Sequence, residues 1–273
     1  MWVSEGLAVW SGGKSPVESG GIRPHLRPWG DMTTAPDAFL ADAEALGVVF
    51  DSGDLDRLVR FLDLLYEANA RMNLTGVRDP EEAWSKHILD SLTLVPWVHT
   101  VGDTVRAEGR EPRVIDVGSG GGLPGLVLAC VNPELEITLV ESTGKKARFL
   151  EETAAALDLK AVRVLAERAE VVGRDPEHRE TYDLVTSRAV GPLNVLTEYL
   201  APLVRVDGTI LATKGARADE EILEAKQALY HLHLEVVEVR PTPTGRIVVL
   251  AKKRELPRAY PRAVGEPKRK PLA

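Results

Sequence analysis

The chain has 273 residues, 44% of them hydrophobic and 27% charged, with a formal net charge of −7 and a single cysteine. That length and apolar content suit one large domain, or one domain with a small appendage, and exclude a disordered chain. Excess acid argues against a broadly basic nucleic-acid face, no apolar run reaches the ~18–20 residues of a membrane span, and a lone Cys130 excludes an internal disulfide framework. The opening MWVSEGLAVWSGGK has neither the basic n-region nor the long apolar h-region of a signal peptide. The expectation is a cytoplasmic protein with no membrane association.

Residues 1–34 are rich in Gly, Ser and Pro without periodicity and read as a disordered or appended extension. Residues 35–100 read as an all-helical N-terminal subdomain. Leu55, Leu58, Phe61, Leu62 and Leu65 form one apolar stripe at helical spacing. The loop Arg71 to Gly76 follows, in which Asn73 and Thr75 are expected to hold the backbone. Asp79-Pro80-Glu81-Glu82 marks a helix start, with Asp79 as cap and Pro80 in the first turn. That helix carries His87, Ile88, Leu92 and Val95.

After Glu111-Pro112 the pattern changes to short apolar runs alternating with helical stretches, which defines residues 101–254 as an α/β domain. Candidate strands are Val114–Val117, Ile137–Val140, Val162–Leu165, Asp183–Ser187, Thr209–Thr213, Glu235–Val239 and Ile247–Ala251. The last two are separated by Arg240 to Arg246 alone, too short for a helical crossover, so they are expected to pair as an antiparallel hairpin. Residues 255–273 read as a basic tail. Together with Lys252, Lys253 and Arg254, its Arg258, Arg262, Lys268, Arg269 and Lys270 form a candidate RNA contact.

The segment Val114-Ile115-Asp116-Val117-Gly118-Ser119-Gly120-Gly121-Gly122-Leu123-Pro124-Gly125 is a strand, a glycine-rich turn and a helix start. Such a turn bends sharply and lets a ligand approach the backbone where no Cβ intervenes. Gly120, Gly122 and Gly125 satisfy GxGxxG, so a nicotinamide or flavin site stands as an alternative. Two features favour S-adenosylmethionine. Asp116 can engage the ammonium of its methionine moiety, directly or through water, whereas it would repel a pyrophosphate. The terminal hairpin also suits the methyltransferase version of the sheet. Glu141 closes the second strand and can accept both ribose hydroxyls of either cofactor; Ser142 and Thr143 can cap the next helix.

Several further pieces occur in a specific order: Asn73-Leu74-Thr75, His87-Ile88-Leu89-Asp90-Ser91, Leu123-Pro124-Gly125, Gly144 to Leu150, Arg168-Ala169-Glu170, Thr186-Ser187-Arg188-Ala189, Lys214-Gly215 and Tyr260-Pro261-Arg262. With them the chain, from about residue 38 onward, resembles the bacterial 16S ribosomal RNA guanine-N7 methyltransferases, the glucose-inhibited division protein B family. The resemblance implies a class I S-adenosylmethionine-dependent methyltransferase fold, a Rossmann-like seven-stranded sheet with the last strand antiparallel and an N-terminal helical extension. It implies that Gly118 and Leu123 line the cofactor with Gly120, that Glu141, Ser142 and Thr143 meet its ribose, and that Ala169 and Glu170 lie beside the adenine. Arg188 would close the site. The substrate would be one guanine of small-subunit ribosomal RNA. The chain departs from the family in one place: an Asp is commoner where Glu141 stands.

Guanine N7 carries an in-plane lone pair and no proton, so its methylation needs alignment rather than a general base. That agrees with the lack of a catalytic triad, a metal cluster or an activated cysteine in the sequence; Cys130, in an apolar run, reads as packing. Arg188 is the expected catalytic residue, at a strand end facing the crevice, where it could touch the cofactor carboxylate, a phosphate or the guanine edge; otherwise it makes an ion pair with an acid such as Asp183. His87 and Lys214 are candidate RNA contacts. A monomer is expected. Two other readings stand beside this one: an NAD(P)-dependent oxidoreductase on a similar sheet, and a catalytically silent nucleotide- or RNA-binding protein.

Overall fold

A computed structural model describes residues 34–272; nearly all of the expected N-terminal extension lies outside them. The helical part comprises α1 (Asp37–Ala45), α2 (Asp54–Met72), α3 (Pro80–Ala83), a π-helical turn (Trp84–Leu89), α4 (Asp90–Leu92) and α5 (Val95–Ala107). Asp79 caps α3 as expected, its carboxylate accepting the Glu81 N–H at 2.9 Å. The apolar stripe of α2 faces inward: Leu58, Phe61, Leu62 and Leu65 have no exposed surface, and Leu55 is partly buried. The boundary drawn at residue 100 falls within α5, which continues to Ala107.

All seven expected strands form: β1 (Arg113–Val117), β2 (Glu136–Val140), β3 (Val162–Leu165), β4 (Tyr182–Arg188), β5 (Val204–Lys214), β6 (Leu234–Pro241) and β7 (Arg246–Lys252). The helices between them are α6 (Gly125–Cys130), α7 (Gly144–Ala156), α8 (Ala169–Val172), α9 (Leu193–Leu200), α10 (Ala218–Glu224) and α11 (Lys226–His231); α12 (Glu266–Arg269) ends the chain. They make one sheet of order β3-β2-β1-β4-β5-β7-β6. The first five strands are parallel, while β7 pairs antiparallel with both β5 and β6. The chain direction reverses at β7 because Pro241 to Gly245 leaves room for a turn and none for a helix.

Alternate strand residues feed two cores. Val114, Ile137, Leu184, Leu211 and Val249 face one layer, with α1, α2, α5, α6 and α7. Ile115, Val140, Val185, Ile210 and Val248 face the other, with α9, α10 and α11. The N-terminal helices therefore share a core with the sheet instead of enclosing one of their own. Arg57 of α2 adds a polar tie by donating from Nε to the Cys130 carbonyl at 2.8 Å. Cys130 is fully buried, and burial pushes its thiol up to about 12, so it packs and does not react. Among the described residues, no helix is long and apolar enough to cross a membrane.

Two cations of the run read as a candidate RNA contact turn inward, while Lys253, Arg254, Arg258, Lys268, Arg269 and Lys270 stay exposed. Lys252 is completely buried, donating to the carbonyls of Ala201 and Val204 at 2.8 and 2.9 Å and pairing with Glu180 at 2.6 Å. Burial lowers its pKa, against the pull of Glu180. Arg262 clasps Glu198, whose carboxylate is also buried, with Nη2 to Oε2 at 2.6 Å. These two cations are internal fasteners. Lys252→Met would leave two carbonyls without this donor and take from Glu180 its closest cation, and is expected to cost about 3 kcal/mol in urea unfolding; a lysine serving only as an RNA contact would leave the midpoint unchanged.

Candidate functional site

The glycine turn at the end of β1 is set by close approach. Gly118 has φ +74°, and a Cβ there would stand 2.4 Å from Val190 Cγ2; one at Gly125 would stand 2.3 Å from Leu139 Cδ2. The turn is also tied at the backbone. Gly118 and Ser119 donate to the Val140 carbonyl, at 2.8 and 3.1 Å, and Gly122 and Leu123 donate to the Ser119 carbonyl, at 2.7 and 3.2 Å. Gly120 donates to Glu141 Oε2 at 3.1 Å, while Thr143 N–H meets Glu141 Oε1 at 2.7 Å. Thr143 thus supports Glu141 through its backbone, and it begins α7 without a side-chain cap.

A cavity of about 300 Å³ opens between Gly118, Gly120, Glu141, Ser142, Ala169 and Glu170. Six of the expected cofactor residues therefore converge. Asp116, Leu123 and Thr143 are not on its wall. Asp116 is fully buried behind the turn, with Oδ1 accepting from Thr186 at 2.8 Å and Oδ2 without a partner. Burial raises its pKa to about 6. The carboxylate expected to engage the cofactor ammonium, directly or through water, here braces β1 against β4 through Thr186. Leu123 belongs to the core cluster.

The wall fits S-adenosylmethionine better than a dinucleotide. Five turn N–H groups, those of Gly118, Ser119, Gly120, Gly122 and Leu123, are already bonded within the protein, so they form no phosphate cradle. Each Glu141 oxygen accepts one N–H and keeps a lone pair, enough for two ribose hydroxyls.

A second cavity, of about 320 Å³, is lined by His87, Arg188, Ala189, Lys214 and Thr244, among others. The two cavities share Ala189, held at φ 57° just beyond β4. Arg188 lines the second and not the first. Its Nη1 donates to the Lys86 carbonyl at 2.9 Å and to Asp90 Oδ2 at 3.0 Å, while Nη2 lies 3.2 Å from His87 Nδ1. The ion pair that Arg188 makes is therefore with Asp90. Asp183, named from the sequence, sits at the other end of β4 and pairs with Arg205 and Arg110 at 2.5 and 3.1 Å. Of the five guanidinium N–H groups, three are used among the described residues.

The contacts around His87 fix its protonation. A guanidinium only donates, so Nδ1 must accept and Nε2 must carry the proton, which goes to Thr75 Oγ1 at 2.7 Å. Burial, aided by the Arg188 charge, lowers the imidazole pKa to about 4. Thr75 is held in turn by Asn69, which accepts its N–H at 2.9 Å and donates to its carbonyl at 3.0 Å. Both imidazole nitrogens are committed, so His87 positions Arg188 and the loop rather than reaching freely for RNA. Lys214 is also turned inward: it is 7% exposed, pairs with Glu221 at 2.7 Å and donates to the Gly191 carbonyl.

Sequence reasoning passed over four residues here. Asp90 lies in the quoted His87 to Ser91 segment, but helical spacing alone did not show what its carboxylate meets. Thr244 donates to Asp90 Oδ1 at 2.6 Å from 154 residues away. Lys146 and Lys268 border the first cavity; the sequence suggested a solvated face for Lys146 and an RNA contact for Lys268.

The family model described as rRNA small subunit methyltransferase G (GidB) matches residues 54–247. Three relatives share that description, each named ribosomal RNA small subunit methyltransferase G. The one from Roseiflexus castenholzii is 44% identical over 242 residues, covering 86% of this chain and 99% of its own. The one from Sorangium cellulosum is 44% identical, covering 86% and 95%. The one from Symbiobacterium thermophilum is 44% identical, covering 84% and 94%.

The neutral imidazole has a consequence for stability. The folded pKa of His87 lies below that of a free histidine, so its contribution is complete above about pH 6.5 and is lost as pH falls toward about 4. His87→Gln is expected to remove on the order of 3 kcal/mol of that acid-side decline. Parallel urea titrations between these two pH values check it; wild-type and variant curves that stay parallel would refute it.

Proposed function

The chain belongs to the rRNA small subunit methyltransferase G family, and on that premise we propose that it transfers the methyl group of S-adenosylmethionine to N7 of one guanine in 16S ribosomal RNA. The observation that carries this reading is the pair of cavities meeting at Ala189: a nucleoside-fitting cavity at the strand tips and a second one beside it, under Arg188. The oxidoreductase reading loses its support with the missing phosphate cradle. Bound S-adenosylmethionine supplies an electrophilic sulfonium methyl.

The chain's own residues do the rest by placement. Glu141 holds the ribose, and the backbone of Gly118, with Val190 packed where a Cβ would stand, forms the wall beside it. The target base enters the second cavity. Guanine N7 would take the methyl on its in-plane lone pair and has no proton to lose, so the residues around the second cavity need only align the base and supply no general base. This suits a site whose one histidine has both nitrogens engaged. Arg188 is the proposed catalytic residue. Its remaining N–H groups suit guanine O6 or a phosphate, because donation to N7 would occupy the lone pair that reacts. Lys86, exposed at the rim of the second cavity and paired with Glu82 at 2.9 Å, would exchange that partner for an RNA phosphate in this reading. The chain acts in this reading as a cytoplasmic monomer in which the helical part and the α/β domain work as one body.

Calorimetry with S-adenosylmethionine and with NAD tests the cofactor; binding of NAD alone would sink the reading. For the acceptor, small-subunit RNA, ribosomal subunits and assembly intermediates are incubated with enzyme and cofactor, then cleaved with borohydride and aniline. One strong N7-methylguanine stop is expected, and none above background in any of the three would refute the assignment. Arg188→Lys keeps a charge beside Asp90 but loses the planar fork. It is expected to slow methyl transfer on the order of 100-fold while cofactor affinity changes little. Unchanged turnover would remove Arg188 from catalysis.

A further inference from the structure

The C-terminal segment follows a tied path from β7 to the mouth of the first cavity. Leu256 N–H donates to Glu180 at 2.9 Å, and Arg179 donates to the Leu256 and Tyr260 carbonyls at 3.1 and 2.8 Å. Arg174 donates twice to the Pro261 carbonyl, at 3.0 and 2.7 Å. Arg262 then clasps buried Glu198, and the Gly265 N–H meets Glu170 Oε1 at 2.8 Å. Glu170 itself lines the first cavity, so the strap is bonded directly to the cavity wall. Buried Pro267 sets down the short α12, and Lys268 completes the wall.

Lys268 differs from the other charges of the strap. It borders a cavity that also exposes Glu141, Glu167 and Glu170, yet it makes no ion pair among the described residues. An exposed lysine on a convex surface is ordinarily just solvated. This one stands at a concave site, on a strap held by buried fasteners, where adenosine offers ring nitrogens and hydroxyl oxygens as acceptors. We propose that the strap is the outer wall of the cofactor site and that Lys268 binds the nucleoside half of S-adenosylmethionine, its ammonium donating to an acceptor atom of the adenosine. The inference rests on the cofactor reading above, and it gives the tail's basic charge a use other than RNA.

The test is calorimetry on the full chain with S-adenosylhomocysteine and with adenosine, for wild type, Lys268→Ala and Lys268→Arg, with thermal midpoints as the folding control. Lys268→Ala is expected to weaken both ligands by a similar factor, about tenfold, with an unchanged midpoint, and Lys268→Arg is expected to restore most of the loss. Unchanged affinity in the alanine variant overturns the proposal. So does a loss confined to S-adenosylhomocysteine, which would place the lysine at the methionine half. Loss of RNA binding with intact S-adenosylhomocysteine binding would assign it to the RNA face and likewise overturn the proposal. Failure of the wild type to bind S-adenosylhomocysteine would refute the cofactor reading itself, and the strap's role with it.

Discussion

A carboxylate with no exposed side-chain surface, Asp90, holds the second cavity together. It receives Arg188 from the tip of β4 and both the N–H and the hydroxyl of Thr244 from the β6–β7 turn. A buried charge of this kind is tolerated only when its lone pairs are filled, since an unpaired one would cost several kcal/mol. Three distant parts of the chain must therefore meet at one point. The π-helical turn brings the Lys86 carbonyl and His87 to the same guanidinium. Pairing thus orients Arg188 before any ligand arrives, which is what catalysis by alignment requires.

The first cavity depends on a different constraint, the satisfaction of backbone N–H groups. In a dinucleotide site the glycine turn leaves donors for phosphate. Here the turn folds on itself and onto Glu141, so five of its N–H groups are filled by protein and the carboxylate lines the cavity. The same glycine spacing thus serves another cofactor. Asp116 contributes from behind, bonded to Thr186. Its charge is disfavoured by burial, and its value to the site is the link it makes between β1 and β4.

The tail shows how a run of like charge can divide by environment. Lys252 and Arg262 are drawn inside by carbonyls and acids from other elements, whereas Lys268 stays at the surface of a concave wall. Net charge along the sequence does not distinguish these cases, because each depends on which acid lies across the gap. Glu198 and Glu180, the two that decide it, belong to α9 and to the turn before β4.

Much of the architecture was legible in the residues. Short apolar runs located all seven strands, helical spacing located the α2 stripe, and the short Arg240 to Arg246 gap implied the antiparallel hairpin, because these depend on local spacing and burial. The glycine turn was legible because φ values and close approaches of this kind exclude a Cβ, and with Glu141 it pointed to the residues that line the first cavity. What the chain could not state locally was which polar groups meet across it. Asp90 with Thr244, Glu198 with Arg262 and Glu170 with Gly265 are separated by 154, 64 and 95 residues. Those pairings, and with them the inward turn of Lys214, the neutrality of His87 and the placement of Lys268, arise only when the packed sheet brings the partners together and removes the water that would otherwise have satisfied each alone.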